Sequence, residues 1–188
     1  VYRDLYRDFD DARTPDLKFR IHTNGLLLTS KLWDSVPKIH RKISEMEVSI
    51  DAASAGTYAR LRRNGHFEIL LKRLAFIRSL KDGGFIPNLI FSFVVQKDNF
   101  REMPDFVALA ENYGADVVNF SALFDWGTYS AAELKALQVH LPDHPEHSEL
   151  LAVLRHEKMR RPVVSLGNLS DLVTSPGRKQ ELLLPVPV

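Results

Sequence analysis

Met46-Glu47-Val48-Ser49-Ile50-Asp51 alternates apolar and polar residues, which on a strand puts Val48 and Ile50 on one face and Glu47, Ser49 and Asp51 on the other. The same division recurs in three other runs. Phe19 and Ile21 oppose Arg20 and His22; Phe91, Phe93 and Val95 oppose Ser92 and Gln96; Val118 and Phe120 oppose Asn119 and Ser121. Strands are therefore expected at Leu17 to Ile21, Met46 to Asp51, Leu89 to Gln96 and Val117 to Leu123, with a short fifth at Val163 to Leu166.

Helical spacing fills the gaps between them. Leu32, Val36, Ile39 and Ile43 predict a helix over Lys31 to Ile43; a short helix starts at Ala55 and ends at Asn64-Gly65; a longer one covers Phe67 to Leu80 and stops at Gly83-Gly84. Asn99 with Glu102 three residues on has capping-box spacing and opens a helix closed by Gly114. Ala131 to Leu137 and Ser148 to Met159 also read as helical. Repeated β-α alternation implies a parallel sheet, either open and doubly wound or closed as a barrel. Face polarity separates the two. An open sheet covered on both sides wants apolar strands on both faces, whereas strands packed outward on helices and inward on a wet lumen want one face of each kind. The fold class is α/β, a (β/α) barrel with parallel strands. A full barrel takes about 250 residues, and 188 are present, so the barrel is partial. It is expected to occupy residues 1–170, followed by an irregular Ser-, Pro- and Gly-bearing tail over 171–188.

Composition narrows the partners. Lys and Arg number 25 against 24 Asp and Glu, so no whole-molecule field favours nucleic acid or an anionic membrane. No apolar run is long enough to span a bilayer, and a cytoplasmic location is the expectation. Cysteine is absent, so these residues supply no disulfide, thiolate nucleophile or cysteine-bound metal. Val1, Leu5 and Phe9 open the chain on a helical pattern with no turn before it, which predicts a start in mid-domain.

In a parallel barrel, ligands meet the C-terminal strand ends, where loops lead into helix N-termini. That position selects His22, Thr23 and Asn24; Ser49 and Asp51; Gln96 and Asn99; and Asn119, Ser121 and Asp125. By residue type alone, Asn24-Gly25 also makes a turn, Ser49 and Asp51 also cap a following helix, and Arg60, Arg62 and Arg63 also make a solvated helix end. His140, Asp143, His144 and His147 include enough ligand types for a metal. Pro142 and Pro145, however, interrupt any helix that would aim two imidazoles at one ion, so this stretch reads as a polar connector with no metal ligand assigned. The basic stretches at Lys38 to Lys42 and Arg60 to Arg63 lack interleaved aromatics, which disfavours nucleic acid.

His22-Thr23-Asn24-Gly25 followed by Leu26-Leu27-Leu28 resembles the end of the third strand in radical S-adenosylmethionine (radical SAM) enzymes, and Ser49-Ile50-Asp51-Ala52 resembles the end of their fourth. Thr57 to Phe67, reading TYARLRRNGHF, resembles the next helix in the peptide-modifying, SPASM-like branch. Phe93-Val94-Val95-Gln96 with Asn99 and Glu102, and Gly114 to Phe120, continue the likeness in order over roughly residues 1 to 170. The resemblance implies that Thr23 and Ser49 contact S-adenosylmethionine near its methionine and ribose parts, with Asp51 shaping the same strand end. It implies Arg62 at the methionine carboxylate and the backbone near Leu123 against the adenine; Asn24, Gln96 and Asn119 complete the cofactor-binding set. A bidentate guanidinium suits an amino-acid carboxylate.

The chain departs from that family in lacking the Cys-x-x-x-Cys-x-x-Cys loop that holds a 4Fe-4S cluster and the Gly-Gly-Glu type segment that meets the SAM amine. Both would lie upstream of Val1. The resemblance implies that an intact protein binds the cluster, takes an electron from a donor, and cleaves SAM to a 5′-deoxyadenosyl radical that abstracts hydrogen from a substrate such as a peptide, while this chain alone is inactive. No catalytic residue is assigned. The alternative is a cysteine-free barrel segment acting as a non-catalytic binding or scaffold module.

Overall fold

The computed structural model describes residues 6, 9–10, 12–63, 65–125 and 127–174. The opening pattern at Val1 and Leu5, the Asn64 half of the Asn64-Gly65 turn, and the tail beyond 174 lie outside the described residues.

Five parallel strands form one sheet: β1 (Phe19–Thr23), β2 (Ile43–Ser49), β3 (Leu89–Val95), β4 (Val117–Ala122) and β5 (Val164–Ser165). Their spatial order is β1-β2-β3-β4-β5, every pair parallel. That order identifies the architecture. A doubly wound sheet reverses direction at a switch point and places its first strand in the interior. Here each strand lies beside its chain neighbours, as successive staves of a barrel do, so the chain is an arc of a (β/α) barrel.

The helices that follow β1 to β4 are α1 (Ser30–Asp34), α2 (Ala55–Leu61), α3 (Phe67–Asp82), α4 (Met103–Asn112), α5 (Ala131–Leu137) and α6 (His147–Leu154). Leu70, Leu74 and Ile77 of α3, and Met103, Phe106, Val107 and Ala110 of α4, are fully buried. Beneath them the outward strand positions Met46, Val48, Leu89, Phe91, Phe93, Val118 and Phe120 are equally dry. Phe106 joins Phe93 and Phe120 at ring-centroid distances of 4.8 and 6.1 Å, so helix and sheet interlock through aromatic rings. No helix among the described residues is long and apolar enough to cross a membrane.

Local chemistry shifts three sequence expectations. The helix expected over Lys31 to Ile43 is α1 followed by a separate 3-10 turn at Pro37–Ile39, and Ile43 opens β2. Pro37 explains the break, since it has no N–H to continue the ladder and its ring excludes the preceding turn. Of the spaced residues Leu32 is only half-buried, Ile43 joins the main core, and Val36 and Ile39 bury with Phe9 in a second, smaller cluster. The helix expected over Ser148 to Met159 ends at Leu154, with a 3-10 turn at Glu157–Arg160 beyond it.

The capping box expected from Asn99 and Glu102 does not form: a 3-10 turn spans Phe100–Glu102 and α4 begins at Met103 with no side-chain cap. Both side chains are engaged across the strand ends instead. A capping box does open α5, where Ser130 accepts from the Glu133 N–H and Glu133 accepts from the Ser130 N–H.

Candidate functional site

Strand register assembles a polar row across the inner face. Ser49 lies opposite Ser92, Ser92 opposite Asn119, and Asn119 opposite Ser165, so four neighbouring strands present short polar residues at one level. One pair lower, His22 lies opposite Glu47, and Arg20 bonds Glu45 through Nε at 2.9 Å. With the Arg20–Glu45 pair lower again, β1 and β2 stay polar for two further levels beneath the row.

Above the row, β2 and β3 are tied together by one hydrogen-bonded network. Arg62 caps the C-terminus of α2 and sends Nη2 to Ser49 Oγ at 2.6 Å and to the Asp51 carboxylate. The other oxygen of that carboxylate accepts the Val94 N–H at 2.8 Å. Asn99 Nδ2 donates to the carbonyls of Asp51 (3.0 Å) and Val94 (2.8 Å), while its Oδ1 accepts the Gln96 N–H at 2.8 Å. Asp51 holds φ at +66°, a left-handed conformation that L residues adopt at some cost and that Asp tolerates better than most. Burial pushes the Asp51 carboxyl up, and the Arg62 guanidinium and the Val94 N–H bring it only partly back. Burial also raises the Tyr58 hydroxyl, against the pull of Arg62.

Arg62 is left with an unfilled donor: its Nε is buried and has no partner among the described residues. A buried N–H without an acceptor is uncommon in folded proteins. Nε shares its edge of the guanidinium with Nη2, which already serves Ser49 and Asp51.

Glu102 spans the same strand ends from the other side. Its Oε2 accepts the N–H of Ala53 (2.7 Å) and of Ser54 (3.1 Å), and its Oε1 takes the Ser54 hydroxyl at 2.5 Å. Burial alone would raise this carboxyl, but the donors of Ser54, Thr57 and Ala53 outweigh it and hold it below the ordinary carboxylate range. The N-cap of α2 is Ser54, which accepts the Thr57 N–H. Neither Ser49 nor Asp51 fills that role.

The residues selected from sequence are not all brought together. Ser49, Asp51 and Arg62 meet directly; Gln96 adjoins them through Asn99; Asn119 stands two strands from Ser49 in the polar row. Thr23 pairs in register with Val48, on the outward row that continues through Phe91 and Val118. Its Oγ1 accepts the Gly25 N–H at 3.1 Å, and Asn24 Oδ1 accepts the Leu26 N–H at 3.1 Å. Both therefore serve the turn, in which Gly25 takes φ +77°. Leu123 is buried, and its backbone already has partners: the N–H donates to Val95 O at 3.2 Å and the carbonyl accepts Gln138 Nε2 at 3.1 Å.

Sequence reasoning missed Ser165 and Asn168. Asn168 Oδ1 accepts the Ala122 N–H at 2.9 Å and so finishes the end of β4. The signal was Gly167, where a Cβ would stand 2.6 Å from the Phe120 carbonyl oxygen and where φ is +50°. Only a residue without a side chain passes that close.

In the 138–147 connector His144 Nδ1 accepts the Glu146 N–H, while the Nε2 side meets Ala136 O and His147 Nδ1 meets Val139 O. Among the described residues no group of three or more His, Cys, Asp or Glu is arranged to hold a metal ion.

Fold and register define the chain as an arc of a (β/α) barrel whose polar face carries a guanidinium–carboxylate site at the ends of β2 and β3. No family model matches the chain. It is similar to mycofactocin maturase MftC of Mycolicibacterium smegmatis (strain ATCC 700084 / mc(2)155), 28% identical over 120 residues, a stretch that covers 61% of this chain. The chain spans 28% of the length of that relative.

Proposed function

We propose that this chain is part of a radical SAM enzyme and that the ends of β2 and β3 bind S-adenosylmethionine. The observation that carries the reading is the convergence of Ser49, Asp51 and Arg62 at one strand end, with Arg62 Nε buried and unfilled. The similarity to mycofactocin maturase MftC, a radical SAM enzyme, supports the superfamily.

The residues fit the sulfonium cofactor. Arg62 meets the methionine carboxylate through the guanidinium N–H groups that Ser49 and Asp51 leave unused. Asp51 holds the guanidinium plane in place, and Ser49 and Asn119 offer short polar contacts along the lumen. The residues do not fit an iron-sulfur cluster, because the chain has no cysteine to supply a thiolate. In this reading the cluster ligands and the electron donor come from outside these residues. The substrate of the whole enzyme is a peptide, in line with the maturase likeness, and residues 1–170 form the barrel part.

Titration of SAM against the protein tests the assignment. Arg62→Ala should weaken binding by about 1.5–3 kcal/mol, the scale of a charge-assisted hydrogen bond. Arg62→Lys should recover only part, because a point charge lacks the planar fork. Arg60→Ala and Arg63→Ala should leave affinity unchanged. Equal small effects at all three arginines would remove Arg62 from the site. Saturable binding of a ligand other than SAM, with SAM itself ignored, would favour the non-catalytic binding module.

A further inference from the structure

We infer that residues 138–147 form an acid-released strap across the C-terminal ends of β3 and β4, closed only while His140 and His144 are neutral. The strap runs from α5 to α6 and is fastened at three places. At its root the Lys97 N–H, just past β3, donates to Leu137 O at 2.9 Å. Gln138 Nε2 donates to Leu123 O, just past β4, at 3.1 Å. At the far end Glu146 Oε1 accepts Arg101 Nη2 at 2.9 Å. Between these points Val139 is fully buried.

His144, 8% exposed, has both ring nitrogens committed. Nε2 lies 3.1 Å from the Ala136 carbonyl, which can only accept, so Nε2 carries a proton; Nδ1 accepts the Glu146 N–H at 3.1 Å, so it carries none. The contacts thus define one neutral tautomer. A second proton, on Nδ1, would set two N–H groups against each other and cancel the Glu146 bond. His140 has the same requirement for a different reason. Its Nδ1 is buried with no partner among the described residues, so an imidazolium would hold a charged N–H with no acceptor there. Burial, with the neighbouring His147 and His144, pushes the His140 pKa down.

The surrounding charges are already committed. Asp143 and Glu146 are the carboxylates that act on His144; Asp143 pairs with Lys135 at 2.7 Å, and Glu146 serves Arg101 and is drawn on by Lys97 as well. His147, which acts on His140, donates from Nδ1 to Val139 O at 3.3 Å and would add a like charge on protonation. The closed strap also leaves polar atoms unfilled. Of three buried side-chain atoms without a partner among the described residues, His140 Nδ1 and Glu146 Oε2 both belong to it, and opening brings water to both. Release would free the Lys97 N–H and the Leu123 carbonyl on the rim where barrels take their ligands. The device stands whether or not that ligand is SAM.

The test is NMR spectroscopy of the isotope-labelled full chain without ligand. Ring nitrogen shifts should show His144 as the Nε2–H tautomer at pH 7.5. In amide hydrogen exchange the Lys97 and Glu146 N–H groups should be less protected than that of Met46, which donates to Asn88 O inside the sheet, because the strap opens locally. Between pH 7.5 and pH 5.5 their protection factors should fall about tenfold or more, the factor given by one proton taken up one unit below an ordinary imidazole pKa of about 6.5. In His140→Gln/His144→Asn the fall should disappear, since Asn offers a side-chain oxygen to the Glu146 N–H without titrating. Should that variant lose its dispersed spectrum, His144→Asn alone should reduce the fall, and the tautomer is read on the parent protein. A proton on His144 Nδ1 at pH 7.5, protection that does not change with pH, equal protection of the strap amides and Met46, or an undiminished fall in a folded variant would each overturn the inference.

Discussion

Asn99, in the turn after β3, donates through Nδ2 to the main-chain carbonyl of Asp51 at 3.0 Å, across the gap between two strand ends. With its bonds to Val94 O and Gln96 N, this side chain bridges three backbone groups that would otherwise be left without partners at the candidate site. It is almost wholly buried, at 1% exposure.

Replacing it should therefore be costly. Asn99→Ala leaves buried carbonyls and an N–H unsatisfied and should lower unfolding stability by about 2–4 kcal/mol. Asn99→Asp keeps the acceptor for Gln96 N but turns a carboxylate toward two carbonyl oxygens, so it should be no better than Ala near neutral pH. Urea unfolding curves measure both, and a loss under about 0.5 kcal/mol for Asn99→Ala would mean that the bridge is not formed.

Asp51 combines a left-handed backbone with an ion pair to a partly buried Arg62, so its two contributions separate by substitution. Asp51→Ala loses the pair and keeps the unfavourable φ. Asp51→Gly loses the pair but relieves the backbone, so Gly should be the more stable of the two by about 1 kcal/mol. Arg62→Ala should itself lower stability by about 1–3 kcal/mol, because it strips the partner from a carboxylate that is mostly buried. Affinities for SAM must accordingly be read on variants whose folding has been verified by near-UV circular dichroism.

Glu102 makes stability depend on acid. Its folded pKa lies below the unfolded value, so the stability it contributes is present above the ordinary carboxylate range and is lost as pH falls through the folded pKa. Glu102→Gln cannot ionise and should flatten this part of the acid limb in a series of denaturation curves from pH 7 to pH 3. A limb as steep in Glu102→Gln as in the parent would place the acid sensitivity elsewhere.

His140 should add a second, higher step. Burial lowers its pKa first, helped by the neighbouring His147 and His144, and its Nδ1 is buried without a partner. A depressed histidine contributes stability that is present above its unfolded pKa of about 6.5 and is lost as pH falls through the folded value. The ring resonances of His140 should titrate with a midpoint below 6.5, and His140→Gln should remove the step; a midpoint at or above that value would contradict the burial.

How much was legible in the sequence follows from the range over which each feature is set. Alternation at Met46 to Asp51 and at Leu89 to Gln96 fixes which side chains share a face, because a strand's period of two is a local property. The helices starting at Ala55 and Phe67 are local in the same sense. The Asn99–Glu102 spacing imitated a local cap and misled, since both side chains found stronger partners 48 or 49 residues away in Asp51 O, Ala53 N and Ser54 N.

By itself, then, the sequence determined a parallel α/β arc with one polar face and the residue types available at its strand ends, since periodicity and turn chemistry act within a few residues. Only the tertiary structure decided that Ser49, Asp51 and Arg62 share a network, that Thr23 falls on the outward row beside Val48, and that Asn168 completes β4. Strand register sets the Thr23–Val48 pairing, while the segments that follow β2 and β5 carry Arg62 and Asn168 back to the strand ends. Register is itself a tertiary property. It arises from the packing of the outward residues on the helices, and a shift of one residue would exchange the two faces.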